Sequence, residues 1–405
     1  MAYRDDIPIL TSFPMHLSTQ LIHAGRRSAA HSQSVNPPLV RASTIVYPTL
    51  QAFKKSYTAK VFESLRYGRS GTSTTFELQE AMAQIEETET ALAFASGLAA
   101  ITAVLAAYAK PQTALFLSAG VYGPTRIFCE RELVPLGVEI AFFNSTAELA
   151  ALFNNTTLPV SLVYVEVPAS LTFDMQDIPA LCEIAHLHGV PVASDSTWGT
   201  PVFFRPHGLG IDISIHAATK YINGHSDVML GLVTGSYAAL EPVRQWCDRY
   251  GSHVAPDVCW LALRGLRTLA LRMQQHDQSA LVVANWLREQ AAIKKVLFPA
   301  MPEDPGYALW KKQFSGAPGP FSVELQPCSE DAFERFINAF QLFSLGTSWG
   351  SYESLVMPAL PHGLRAHSEQ PAAGRLVRFH IGLEQADDLC ADIAQAFVAM
   401  NQESA

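Results

Sequence analysis

Lys220 is the only lysine between Lys110 and Lys294. It lies in SIHAATKYINGHSD, residues 214–227, after the apolar run IDISI and before VMLGLVTG. The ordinary reading of such a residue is an ammonium at a strand end reaching water. Three features favour another. The surrounding run is low in charge, the preceding segment is patterned for burial, and Thr219 places a hydroxyl next door. A lysine desolvated there has a lowered pKa and becomes a nucleophilic amine. Such amines form Schiff bases with carbonyl substrates or with pyridoxal 5'-phosphate.

A pyridoxal site needs more than a lysine. A carboxylate must hold the pyridine nitrogen protonated. Asp195 is the candidate, because VPVASDS is an apolar strand ending in an acid and ligands bind at the carboxyl ends of parallel strands. A turn cap is its competing role. The phosphate needs backbone N–H groups at a helix start, which Ser96, Gly97 and Leu98 of ASGLAA supply. An ordinary N-cap would look the same. The ring needs a flat partner, and Tyr122 of AGVYGPT sits on a loop after a strand. The order carries the specificity: phosphate turn, aromatic, acid at a strand end, then lysine about 25 residues later. A metal site from His216, His225 and Asp227 is the rival for the same stretch. Their spacing fits no metal motif, so no metal is expected and the histidines are expected to hydrogen-bond near the site.

These groups need elements to carry them. TTFELQEAMAQIEE has apolar spacing near 3.6 and predicts a helix. After it, strand and helix patterns alternate. TALFLS, VEIAFF, SLVYVEVP, VPVASDS, IDISIHA and VMLGLVTGS read as strands. PTRIFCERELVPLG and PALCEIAHLHG read as helices. Continuous apolar strands alternating with helices predict an α/β fold with a mostly parallel sheet covered on both faces. Residues 257–290 read as long helices. Beyond Pro299, SVELQ, QLFSLG and RLVRFHIGL read as strands and Glu384 to Met400 as a closing helix, giving a smaller α+β domain. The first 60 residues, broken by Pro14, Pro37, Pro38 and Pro48, read as an extended arm with one short helix, packed on a neighbouring subunit. The expected division is an arm at 1–62, a cofactor domain at 63–257 and a C-terminal domain at 258–405.

Composition narrows the function classes. At 405 residues, 49% apolar and 16% charged, the chain can bury a large core and an oligomer interface. A net charge of −9 gives no footprint for nucleic acid. Six scattered cysteines without a CxxC pair fit a reducing cytoplasm. MAYRDDIPIL is not patterned as a secretory signal, and no run approaches the ~18 apolar residues of a membrane helix. The expected partner is a small amino acid.

At these residues the sequence resembles the Cys/Met metabolism family of pyridoxal-phosphate enzymes. The likeness runs from about Leu65 to the C-terminal helix. It rests on RYGRSGTSTTFELQEAMAQIE, ASGLAA, VYGPT, SDSTWGTPV, HAATKYINGHSDVMLG, LRGLRTLALRMQQH, SLGTSWGSYESL and RFHIGLE, in one order. The resemblance implies a fold-type I transferase-like fold and a homotetramer built of close dimers. It implies that Lys220 carries the Schiff base, that Asp195 pairs with the pyridine nitrogen and that Tyr122 stacks on the ring and assists proton transfer. Ser96, Gly97, Leu98 and Thr219 would hold the phosphate. Tyr67 and Arg69 would reach the phosphate of the neighbouring subunit. Arg378 would clamp the substrate carboxylate, a task suited to a planar fork, with Ser348 and Trp349 beside the substrate.

Within the family, Ser348-Trp349-Gly350-Ser351-Tyr352 resembles the cystathionine β-lyases, whereas enzymes acting at Cγ tend to carry Leu-Gly-Gly there. HAATK points the same way. The resemblance therefore implies β-elimination from cystathionine or a related S-substituted cysteine, with a γ-lyase, a γ-synthase or a non-catalytic relative as alternatives. Ser196, Val167, Thr347 and Ser351 depart from the common pattern, and Thr347 and Ser351 are expected near the substrate pocket.

Overall fold

The protein is described by a computed structural model covering residues 15–26, 33–58, 65–359 and 375–402. Seven strands form the large sheet: β1 (Thr90–Phe94), β2 (Ala114–Ser118), β3 (Glu139–Phe143), β4 (Val160–Glu166), β5 (Val192–Asp195), β6 (Ile213–His216) and β7 (Gly231–Gly235). Their order across the sheet is β1-β7-β6-β5-β4-β2-β3. β3, β2, β4, β5 and β6 run parallel, and β7 is antiparallel to both β6 and β1. Two arm helices, α1 (Leu17–His23) and α2 (Leu50–Thr58), come first in the chain, and the helices around the sheet include α3 (Ser73–Ile85), α4 (Gly97–Tyr108), α5 (Gly123–Phe128), α6 (Thr146–Asn155), α7 (Ile178–Leu187) and α8 (Tyr237–Tyr250).

The strands lack polar alternation because both faces are buried. In β2 every residue is buried. Phe116 packs with Val163, Val192 and Leu181 on one face, while Leu115 and Leu117 pack with Val104, Tyr164 and Ile213 on the other. A period of two thus distributes one apolar run between two cores.

Two helices, α9 (Pro256–Leu266) and α10 (Leu269–Arg288), lead to a second sheet. Its strands are β8 (Ile293–Leu297), β9 (Pro320–Leu325), β10 (Ser344–Leu345), β11 (Leu355–Ala359) and β12 (Leu376–His380), in the order β10-β11-β12-β9-β8. Helices α11 (Glu330–Asn338) and α12 (Ala386–Met400) pack beside it, and α10 packs on both α12 and β8. The mostly parallel large sheet and the smaller second sheet are those expected from the sequence.

Several local expectations are corrected. The arm carries two helices, α1 and α2, rather than one. PTRIFCERELVPLG is not one helix: α5 widens into a π-helical turn at Cys129–Leu133, then tightens into a 3-10 turn at Val134–Leu136. Pro135 lacks an N–H to continue the ladder, and Gly137 leaves it at φ 82°. QLFSLG contributes only two strand residues. β8 was hidden because Lys294 and Lys295 expose themselves on this edge strand and break the apolar pattern.

Candidate active site

β4, β5 and β6 end side by side, with Glu166 paired to Asp195 and Asp195 to Ile215. The chemistry-bearing groups gather at these carboxyl ends, as parallel sheets favour. Asp195 accepts the Thr197 N–H at 2.9 Å. Burial pushes its carboxyl up, while Thr197, His216 and Lys220 pull the other way. Among the described residues it forms no salt bridge. A carboxylate enclosed without a bonded cation suits a protonated pyridine nitrogen.

Lys220 follows β6 by four residues. Its Nζ donates to Ser348 Oγ at 2.7 Å and stands 5.3 Å from the Trp349 ring centroid. Burial, followed by the nearby Arg378 charge, lowers its amine from 10.5 to about 8. The desolvated amine expected from the sequence is therefore present, with a partner more than a hundred residues away.

The Ser96–Gly97 turn opens α4, and the Ser96 side chain accepts the Ala99 N–H at 3.0 Å. Gly97 is pressed against the lysine segment: a Cβ there would lie 2.5 Å from Ala217 Cβ. That contact requires a glycine on one side and a small residue on the other, and it brings the helix start beside HAATK. Leu98 is exposed at the first turn. Thr219 is more committed than expected. Its hydroxyl donates to Leu230 O at 3.2 Å and accepts the Leu230 N–H at 2.9 Å. It reaches an anion only by giving up the first of these bonds.

Tyr122 caps α5, is half exposed, and donates its backbone N–H to Glu166 Oε2 at 2.6 Å. Burial raises its phenol; Glu166 and Asp195 push it further up, and Arg378 pulls it down. All four groups thus share one electrostatic neighbourhood. Glu166 was missed by the sequence reading. Burial and the Asp195 charge push its carboxyl well above the usual range. The signal was available, since SLVYVE is an apolar strand ending in an acid, like VASD.

Arg378 is buried on β12, between β11 and β9. Its Nη2 donates to Thr347 O at 3.0 Å and Ser348 O at 2.9 Å. Burial lowers it to about 10. Among the described residues it has no carboxylate partner, and its Nε and Nη1 make no hydrogen bond to protein. The same short loop thus touches both Lys220 and Arg378. Ser351, beside it, is buried and offers its carbonyl to His380 Nε2 at 3.1 Å.

The remaining expected residues fall elsewhere. Tyr67 bridges Thr44, and Arg69 donates to Asp248 O at 3.4 Å. Arg69 lines a cavity of about 570 Å³ with Tyr57, Tyr237, Arg244 and His253, which none of Lys220, Asp195 and Arg378 borders. His216 is buried against Glu86 at 2.8 Å, the exposed His225 has Nδ1 2.7 Å from Asn223 O, and Asp227 accepts from Asn223 at 2.7 Å. No metal-binding group of three or more His, Cys, Asp or Glu occurs among the described residues. No described helix is long and apolar enough to cross a membrane.

A family model described as Cys/Met metabolism PLP-dependent enzyme matches residues 18–398. The chain is 40% identical to a putative cystathionine beta-lyase of Rhizobium johnstonii over 389 residues, covering 95% of this chain and 96% of that protein. It is 33% identical to an L-alanine/L-glutamate racemase of Wolbachia pipientis, covering 94% and 96%. The crystal structure of metB from Corynebacterium glutamicum superposes with a TM-score of 0.86 at 28% identity, covering 96% of this chain and 99% of that one.

Proposed function

The chain belongs to the Cys/Met metabolism family of pyridoxal-phosphate-dependent enzymes, and on that premise we propose that it is a carbon–sulfur β-lyase. Its proposed substrate is cystathionine or a related S-substituted cysteine, and its products are a thiol, pyruvate and ammonia. The observation that carries the reading is the loop 347–349, which joins the two groups such a reaction must bring to one amino acid. Ser348 Oγ accepts from Lys220 Nζ, and the Thr347 and Ser348 carbonyls accept from Arg378.

Pyridoxal phosphate, when bound, supplies an electron sink for negative charge developing at Cα. Arg378 binds the substrate carboxylate with the part of its fork left free. Asp195 would keep a proton on the ring nitrogen, and Tyr122 would provide the flat partner for the ring. Ser96, Gly97 and Leu98 would hold the phosphate at the start of α4, with Thr219 assisting. Lys220, its ammonium destabilised by burial, takes the Cα proton through Nζ. Ser348 holds that nitrogen, and Trp349 walls it from water. The Cβ–sulfur bond then breaks with its electron pair leaving on sulfur. Water converts the three-carbon remainder to pyruvate and ammonia. The Wolbachia racemase, at 33% identity, supports a second reading in which Lys220 performs the same Cα proton transfer without elimination.

Incubation with L-cystathionine decides among these. Pyruvate and homocysteine are expected. 2-Oxobutyrate would replace β- by γ-elimination, whereas no keto acid from cystathionine, together with racemisation of separately supplied L-alanine or L-glutamate, would support the second reading.

The placement of Tyr67 and Arg69 away from Lys220 supports a shared site in a homotetramer of close dimers. Val46, Leu50 and Tyr57 are exposed on the N-terminal arm that precedes them. Lys220→Ala and Arg69→Ala are each expected to be nearly inactive. In a mixed dimer one site would carry both lesions and the other neither. Co-refolding equal amounts should restore about a quarter of parental activity, from half the dimers and half their sites. No recovery, with mixed dimers demonstrated by mass, would refute sharing.

A further inference from the structure

Arg272 on α10 is only 7% exposed, yet among the described residues it pairs with no carboxylate. Burial lowers it to about 10, so it remains charged at neutral pH. A buried cation satisfied only by neutral acceptors is costly unless those acceptors are well placed. Here they are. Nη1 donates to Tyr221 O at 2.6 Å, and Nη2 to Gly265 O at 2.8 Å and Ile222 O at 3.4 Å. Nε donates to Thr268 Oγ1 at 3.2 Å. Tyr221 and Ile222 directly follow Lys220. The loop then turns over the guanidinium at Gly224, with φ +73° and a Cβ position only 2.1 Å from Nη1. A side chain there would be strained at that φ and would have to push the guanidinium aside.

His276 lies one turn further along the same helix, so both residues share a face. It is fully buried, and its Nδ1 stands 2.8 Å from Ile381 O. Burial lowers it to about 4, so the ring is neutral. A carbonyl can only accept, which assigns the ring proton to Nδ1. Ile381 follows Arg378 by three residues. The Tyr221 ring fills the space between, 5.0 Å from His276 and 6.0 Å from His380. One helical turn therefore grips the Lys220 loop with one side chain and the Arg378 strand with the other.

We propose that Arg272 and His276 form a bracket on α10 that sets the spacing between Lys220 and Arg378. Both are positioning residues that touch neither substrate nor cofactor. The inference rests on the reading above only in that Lys220 and Arg378 act on the same amino acid.

The test uses the cofactor-loaded enzyme and Arg272→Met, His276→Leu and their double variant. Arg272→Lys and His276→Asn, which keep a shorter donor, serve as rescue variants. Three quantities are read: the pH midpoint of the visible cofactor band, the Kd of an amino acid titrated by its spectral change, and kcat/KM. Arg272→Met is expected to move the midpoint by about one unit or more, and His276→Leu to raise Kd at least about tenfold with the midpoint unmoved. Each single change should lower kcat/KM at least about tenfold. The double variant should fall no more than about threefold below the worse single, because a bracket opened at one end has already lost its spacing. His276→Asn should recover most of the Kd.

Multiplicative losses in the double variant would overturn the proposal. So would Arg272→Met and His276→Leu each within about twofold of the parent in all three quantities, with the neutral Arg272→Gln read in the same way if Arg272→Met does not fold. Midpoint and Kd need no product, so an enzyme releasing no keto acid still decides the bracket while the β-elimination reading fails separately.

Discussion

Lys220→Ala is expected to remove the visible absorbance of the loaded protein and to lower turnover by about four orders of magnitude or more. The proposed function gives the residue two tasks, covalent attachment of the cofactor and removal of the Cα proton, and alanine would perform neither. Both tasks need a free amine. Lowering the pKa from 10.5 to about 8 raises the free-amine fraction at pH 7 by two to three orders of magnitude. Burial makes that shift, and the positive Arg378 adds to it.

Lys220→Arg is the informative companion. It keeps the charge and much of the bulk but is never a free amine, so it should be as inactive as alanine. Spectra of both variants, read beside an unchanged melting temperature, separate loss of the amine from loss of the fold. Turnover retained in either would end the assignment.

Arg378→Ala is expected to weaken amino-acid binding by about 2–5 kcal/mol, at least about thirtyfold in Kd. The substrate carboxylate would enter a desolvated pocket without its counter-charge. The same variant leaves the Thr347 and Ser348 carbonyls without their donor, so part of the loss would come from the loop. An amine analogue lacking the α-carboxylate distinguishes the two. If the clamp is right, its affinity changes far less than that of the amino acid. Arg378→Lys should fall between, since it keeps the charge without the fork. Unchanged amino-acid affinity in Arg378→Ala would refute the clamp.

The two acids at the strand ends illustrate what patterning can and cannot convey. Asp195 was legible because its strand, its turn and its distance from Lys220 formed an ordered set. Glu166 carried the same local signal, but nothing in the chain said that β4 and β5 would be neighbours. Only the sheet register puts the two carboxyls side by side and makes the raised Glu166 a consequence of Asp195. Thr219 shows the reverse. Its position suggested a phosphate donor, and the tertiary structure commits its hydroxyl to Leu230.

By itself the sequence determined the α/β architecture and the cofactor, and singled out Lys220 as a desolvated amine. Apolar periodicity and small residues at close approaches are local properties, written into consecutive positions. Tertiary structure decided which distant groups share a site. Ser348 meets Lys220, Arg378 meets the loop 347–348, and Arg272 with His276 spans the two. Those contacts depend on how two sheets and α10 pack, and packing is a property of surfaces brought together rather than of spacing along the chain.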